Sequence, residues 1–129
     1  MTSRLAVGIR FSATPIANGA AVQIDLPEDS LDFDVANVLR ASLGETVASY
    51  LGEGYRSFVL DVHQVTRIDS CGVGLLIGMH HQVVAAGGTL VVVTSSPFVR
   101  RVLRMMRLDR FLDLETSVDR ALRALVDVD

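Results

Sequence analysis

The 129-residue sequence contains no lysine and no tryptophan, and its single cysteine is Cys71. One cysteine excludes an internal disulfide and fits a reducing compartment. No stretch approaches the roughly 20 apolar residues that a membrane-spanning helix needs. Residues 1–4 also lead into an alternating segment without the apolar core of a signal peptide. We therefore expect a cytoplasmic protein with no membrane association.

The net charge is only −3, which argues against a general nucleic-acid-binding protein. Half of the residues are apolar and 21% are charged, so the chain is predicted to be globular. Its length suits one hydrophobic core. We expect a single domain over residues 1–129, with its core at about residues 4–127.

The spacing of apolar residues predicts an α/β fold. Alternation over residues 5–11 and again over 22–26 predicts two strands, joined as an antiparallel hairpin by a turn at Pro15 and Asn18-Gly19. Apolar residues four apart from Val35 to Val47 predict a helix that ends at residues 52–54. Further on, the pattern predicts buried strands at 58–60 and 90–93 and a short edge strand at 111–114. It also predicts three more helices. The first covers residues 70–86, the second begins at Pro97 with Ser96 as its cap, and the third follows a capping box of Thr116 and Asp119. Strands separated by helices pair in parallel, so we expect a mixed sheet of about five strands with four helices.

Ser70 occupies the most informative position in the chain. It lies between Asp69 and Gly72, where an apolar strand gives way to a helix. A phosphate there would lie over unpaired N–H groups at the positive end of the helix and would change the surface charge by roughly −1.5 to −2. This placement predicts a phosphorylation switch. The alternative is an ordinary helix N-cap formed by Asp69 and Ser70.

Three glycines in the first turns of the same helix need a reason. Gly72, Gly74 and Gly78 each cost up to about 1 kcal/mol relative to alanine within a helix. Close approach of another backbone or of a partner surface would supply that reason.

Enzymatic sites are incomplete in this sequence. A hydrolase nucleophile elbow needs glycine two residues before Ser70, where Ile68 stands, and His63 as a base has no assignable third partner. A nucleotide-binding P-loop needs a lysine, which is absent. His80 and His81 point about 100° apart on a helix and are interpreted as solvated surface residues. Cys71 is interpreted as a small, partly buried apolar side chain, with a redox thiol as the alternative.

The chain resembles the STAS domain of bacterial anti-sigma factor antagonists. The central match is the apolar strand at residues 60–62, then Val65, Ile68-Asp69-Ser70 and Gly72-Val73-Gly74-Leu75. The similarity extends through residues 90–93, 96–103, 108–109 and 117–125. Leu31-Asp32 is similar to the pair that opens the first helix in that family.

The resemblance implies a partner-switching protein that is not an enzyme and needs no cofactor or metal. The unphosphorylated antagonist would bind an anti-sigma factor that is also a serine kinase, and so free a sigma factor for transcription. Phosphorylation at Ser70 would release it, and a phosphatase would reset it. The implied partner-binding residues are Asp32, Asp69, Ser70, Cys71, Gly72, Val73, Gly74 and Ile77.

Two departures from the family pattern matter. Cys71 replaces the usual second hydroxyl, which leaves Ser70 as the acceptor, and the Gly-Glu that precedes Leu-Asp in the family is absent.

The alternative function is a STAS scaffold subunit of another complex, such as a lipid-transport ATPase or a stress-sensing assembly. Valine-rich edges and an arginine-lined helix also permit a weak homodimer.

Overall fold

The structure, a computed structural model, describes residues 11–126. Within these residues, the chain forms seven strands: β1 (Ser12–Ile16), β2 (Ala21–Asp25), β3 (Ser30–Leu31), β4 (Ser57–Asp61), β5 (Arg67–Ile68), β6 (Thr89–Val93) and β7 (Asp113–Glu115). The same part of the chain forms four α-helices: α1 (Phe33–Gly52), α2 (Ser70–Ala85), α3 (Pro97–Met105) and α4 (Val118–Val126).

Five of these strands form one mixed sheet in the order β1-β2-β4-β6-β7. The β1–β2 pair is antiparallel, and the pairs β2–β4, β4–β6 and β6–β7 are parallel. Each parallel connection passes through a helix, as crossovers between parallel strands require. The predicted mixed sheet with four helices is therefore confirmed.

The first hairpin differs from the prediction in its position. Residues 5–10 of the predicted first strand lie outside the described residues, and β1 starts only after the buried Phe11. Pro15, predicted to mark a turn, instead lies inside β1 opposite Val22. This is possible because β1 is an edge strand, where a proline without an N–H group is tolerated. The turn is the 3₁₀ segment Ala17–Gly19, whose three residues all have positive φ.

The sheet separates two apolar clusters because neighbouring residues in a strand point to opposite faces. Phe58 and Leu60 point into the larger cluster, which α1, α2 and α3 cover. Val59 points into the smaller one, with Val91, Val93 and Ala121 of α4. Strands β4 and β6 are therefore buried on both faces, as their continuous apolar sequences predicted.

The starts of the last two helices test the predicted caps. Ser96 Oγ accepts a hydrogen bond from Val99 N at 3.3 Å, which confirms the predicted cap of α3. At α4, Ser117 Oγ accepts from Arg120 N at 3.2 Å. The predicted capping box of Thr116 and Asp119 is therefore wrong by one residue, because the neighbouring serine hydroxyl takes the capping position.

Candidate functional site

Two short strands bring the starts of α1 and α2 together. β3 and β5 pair in parallel, with Leu31 opposite Ile68. An aspartate follows each strand and caps the next helix: Asp32 caps α1 and Asp69 caps α2. The backbone angles of the two caps are nearly the same, with φ and ψ of −112° and −170° at Asp32 and −115° and −174° at Asp69. The two strand-aspartate-helix units therefore lie side by side.

Sequence analysis did not predict this small sheet. A two-residue strand is too short to show periodicity. The signal that could have revealed it is the repeated pair of an apolar residue and aspartate, Leu31-Asp32 and Ile68-Asp69, each directly before a helix.

The carboxylate of Asp69 binds backbone amides from both helices. Its Oδ1 accepts hydrogen bonds from Cys71 N at 2.9 Å and from Gly72 N at 3.1 Å. Its Oδ2 accepts from Phe33 N, the first residue of α1, at 3.1 Å. Asp32 caps only its own helix, through a bond from Val35 N to Oδ1 at 3.1 Å. Asp69 thus acts as an N-cap and also joins α1 to α2.

This arrangement changes the expected environment of a phosphate on Ser70. The sequence predicted unpaired N–H groups below it, but the amides of Cys71 and Gly72 already donate to Asp69. That expectation is therefore wrong for these two amides. Ser70 itself is exposed at the first position of α2.

The other residues predicted to bind a partner differ in their exposure. Asp69 is exposed, and Asp32, Cys71, Gly74 and Ile77 are partly exposed. Val73 is only 2% exposed and belongs to the larger core. The expectation that its side chain contributes to a binding surface is wrong, because this face of α2 packs against the sheet.

The glycines of α2 fall into two groups. A Cβ on Gly72, which is buried, would overlap the backbone carbonyl of Leu31 in β3 and would lie 2.8 Å from Ile68 Cγ1. The predicted close approach of another backbone is confirmed here, and it lies inside the molecule rather than at a partner surface. A Cβ on Gly74 or Gly78 would meet nothing within 4 Å, so internal packing does not explain these two.

Two exposed aromatic rings, which sequence reasoning missed, flank the paired aspartates. Phe33 is 57% exposed and Phe98 is 46% exposed. Phe98 also lines a shallow groove with Ser30, Asp32, Arg67, Ile68 and Asp69. Both rings lie in the first turn of a helix outside its apolar stripe, which is the signal that could have singled them out.

The histidines do not complete a catalytic site with Ser70. His63 Nδ1 lies 2.8 Å from Asp61 Oδ1, which gives His63 an acidic partner. Among the described residues, however, no hydrogen bond joins His63 to Ser70. No group of three or more His, Cys, Asp or Glu residues within 11–126 is arranged to hold a metal ion.

His80 and His81 differ from each other in their surroundings. His81 is exposed, as predicted. His80 is half-buried, with its ring centroid 4.5 Å from that of Phe111 and its Nδ1 buried without a hydrogen-bond partner. The prediction of a solvated surface residue is therefore wrong for His80, because the segment before β7 covers it.

Comparison with known proteins identifies the family. Residues 19–121 match the STAS domain. The chain belongs to the STAS domain family. Within residues 11–126, none of the helices combines the length and apolar character needed to cross a membrane.

The chain is similar to relatives that are named as anti-sigma factor antagonists. It is 27% identical, over 78% of its length and 87% of the relative's, to a Thermotoga neapolitana protein that carries this name provisionally. The crystal structure of a protein from Thermotoga maritima, named provisionally in the same way, has a TM-score of 0.70 at 21% identity and covers 89% of this chain and 93% of that one. Bacillus SpoIIAA in its phosphorylated form has a TM-score of 0.61 at 23% identity, covering 88% and 98% of the two chains. These structural similarities establish the STAS fold.

Proposed function

We propose that this protein is an anti-sigma factor antagonist whose binding is switched by phosphorylation of Ser70. Unphosphorylated, it binds an anti-sigma factor with serine kinase activity and thereby frees a sigma factor for transcription. The kinase then phosphorylates Ser70, and a phosphatase restores the hydroxyl. The chain acts as a binding module and a kinase substrate, and it does not act as a catalyst.

The observation that carries this proposal is the exposed residue Ser70 at the first position of α2. A kinase must reach the hydroxyl of this residue without unfolding the domain. The exposed position satisfies that requirement, and the Asp69 cap fixes the backbone on which Ser70 stands. The positive end of the α2 dipole lies beneath it, and the Asp69 carboxylate already binds two of the amides there.

Phosphorylation would act through charge at the docked surface. The phosphate adds roughly −1.5 to −2 beside Asp69 and near the cap residue Asp32. Burying this charge against a partner costs desolvation, and any acidic group on the partner adds repulsion. A loss of about 2.7 kcal/mol of binding free energy weakens association about a hundredfold. The switch therefore needs no change of fold.

The docking surface consists of the accessible residues around Ser70. We assign to it Asp32, Asp69, Ser70, Cys71, Gly74 and Ile77, all of which are exposed or partly exposed. Gly72 and Val73 are not part of this surface: Gly72 allows the close approach of β3 to α2, and Val73 packs in the core. The names of the relatives support an anti-sigma factor as the partner.

The experiment uses purified anti-sigma factors of the serine-kinase type from the same organism. Each is incubated with ATP and this protein, the phosphorylated residue is located by mass spectrometry, and affinities are measured by isothermal titration calorimetry. We expect phosphate on Ser70, none on Ser70→Ala, and at least a hundredfold weaker binding of the phosphorylated form. Ser70→Asp imitates the phosphate, and Thr116→Asp is its control because it adds a carboxylate at an exposed position before α4. Equal affinities of Ser70→Asp and wild type for the kinase would contradict the proposal.

A further inference from the structure

Helix α3 carries an outward-facing row of side chains that the fold does not bury. Its buried side chains are Val99 and Leu103. The opposite side of the helix carries exposed residues, and we call four of them the α3 stripe: Phe98, Arg101, Arg104 and Met105. Phe98, Arg101 and Met105 are three and four residues apart and so form one row, with Arg104 beside it. Met105 is 75% exposed, which is the largest value among the exposed large apolar side chains of the described residues.

The α3 stripe is continuous with the surface around Ser70. Phe98, at its first turn, lines the groove that also contains Asp32 and Asp69. The helix also packs against β5, which leads directly into Asp69 and Ser70. A partner that covers Ser70 and this groove therefore has the α3 stripe directly beside it.

The composition of the α3 stripe is that of a protein interface. Aromatic residues, methionine and arginine are enriched in interface cores, and lysine and glutamate are depleted. Methionine adapts its shape to the surface it meets. Among the described residues, Arg101 and Arg104 form no salt bridge within the chain. Their guanidinium groups therefore keep their charge and donors for an external carboxylate.

We infer that the α3 stripe is a second part of the docking surface, an inference that rests on the function proposed above. The α3 stripe binds acidic side chains next to an apolar patch on the anti-sigma factor. The charge pattern favours a protein over a polyanion. A nucleic acid or an anionic membrane lying along Arg101 and Arg104 would meet two carboxylates, Asp32 and Asp69, at the Phe98 end, where Arg67 is the one guanidinium that lines the same groove. A protein can place a few acidic side chains opposite the arginines alone.

The test compares charge reversals on two faces of the unphosphorylated full chain. Arg101→Glu reverses the charge in the middle of the α3 stripe, and Arg123→Glu makes the same change at an exposed position of α4, on the other face of the sheet. Binding is measured by calorimetry against the anti-sigma factor that phosphorylates Ser70. We expect Arg101→Glu to weaken binding about tenfold or more, with a loss that shrinks at higher salt, and Arg123→Glu to change it less than twofold. Met105→Ala, which keeps all charges, should weaken binding about fivefold.

The outcomes separate this inference from the function on which it rests. If wild type binds no anti-sigma factor, the proposed function fails and the inference fails with it. If wild type binds and Arg101→Glu binds equally well, the inference alone is overturned. Co-sedimentation with phosphatidylglycerol vesicles, or a gel shift with RNA, that Arg101→Glu abolishes would also overturn it by showing a different partner. Unchanged circular dichroism and urea midpoints show that the variants are folded.

Discussion

The carboxylate of Asp69 accepts a hydrogen bond from the backbone amide of Phe33, 36 residues earlier in the chain, at 3.1 Å. The same carboxylate caps α2 through its other oxygen. One side chain, directly before Ser70, therefore fixes the first turns of two helices. Phe33, at the far end of this bond, presents an exposed aromatic ring.

The double role of Asp69 can be tested with an isosteric change. Asparagine caps helices as well as aspartate does, but it has one acceptor oxygen in place of two. Asp69→Asn should keep the α2 cap and leave the Phe33 amide without its acceptor, at a cost of about 1 kcal/mol in the free energy of unfolding. Asp32→Asn is the matched control and should cost less than about 0.5 kcal/mol, because Asp32 caps a single helix. Urea denaturation measures both, and equal losses would show that the bond to Phe33 contributes nothing.

Phosphorylation should be detectable at the start of α1 as well as in α2. A phosphate on Ser70 repels the neighbouring Asp69 carboxylate, which holds the Phe33 amide. In ¹H–¹⁵N NMR spectra we expect the Phe33 amide to shift together with those of Cys71 and Gly72 after phosphorylation. The amide of Thr89, at the start of β6, is the control and should stay in place. Shifts confined to α2 would contradict coupling through Asp69.

Two glycines of α2 should respond oppositely to alanine. Gly72→Ala would drive a Cβ into the Leu31 carbonyl. Moving that carbonyl away would weaken its hydrogen bond from Asp69 N. We expect a loss of about 2 kcal/mol or more in the free energy of unfolding. Gly78→Ala meets open space and should gain about 0.5 to 1 kcal/mol through helix propensity. Chemical denaturation of both variants checks this difference in sign, and a neutral Gly72→Ala would disprove the close contact.

The half-buried His80 should be replaceable with a gain in stability. Its Nδ1 is buried without a partner beside Phe111, and an unpaired buried polar atom costs about 1 to 3 kcal/mol. We expect His80→Leu to raise the free energy of unfolding by about 1 kcal/mol. His81→Leu, on the exposed neighbour, should change it by less than about 0.5 kcal/mol. Thermal denaturation at neutral pH compares the two, and a destabilised His80→Leu would mean that the ring nitrogen has a structural role.

The sequence predicted the elements that have a clear period. The buried strands β4 and β6, the long helix α1 and the Ser96 cap follow from local patterns that tertiary packing did not overrule. The strand that pairs with β2 was predicted too early in the chain because Pro15 was interpreted as a turn signal. An edge strand tolerates a proline without an N–H group, and whether a strand lies at the edge of a sheet is not a local property.

The details of the site depended on contacts between distant residues. Three features depend on the position of α2 against the sheet. They are the pairing of β3 with β5, the hydrogen bond from Phe33 N to the second carboxylate oxygen of Asp69, and the burial of Val73. Periodicity places Val73 on a helix, but it does not determine which face of that helix meets the core. The composition of α2 made this harder, because apolar residues and glycines occur on most of its sides.

The β3–β5 ladder uses only main-chain atoms to hold the two aspartate caps beside each other. Mutations of the exposed residues around it, other than Asp69, therefore leave the backbone position of Ser70 unchanged. Paralogues that share this backbone can diverge in their choice of partner while Ser70 keeps its position. Partner choice and the placement of this serine can then evolve separately on one scaffold.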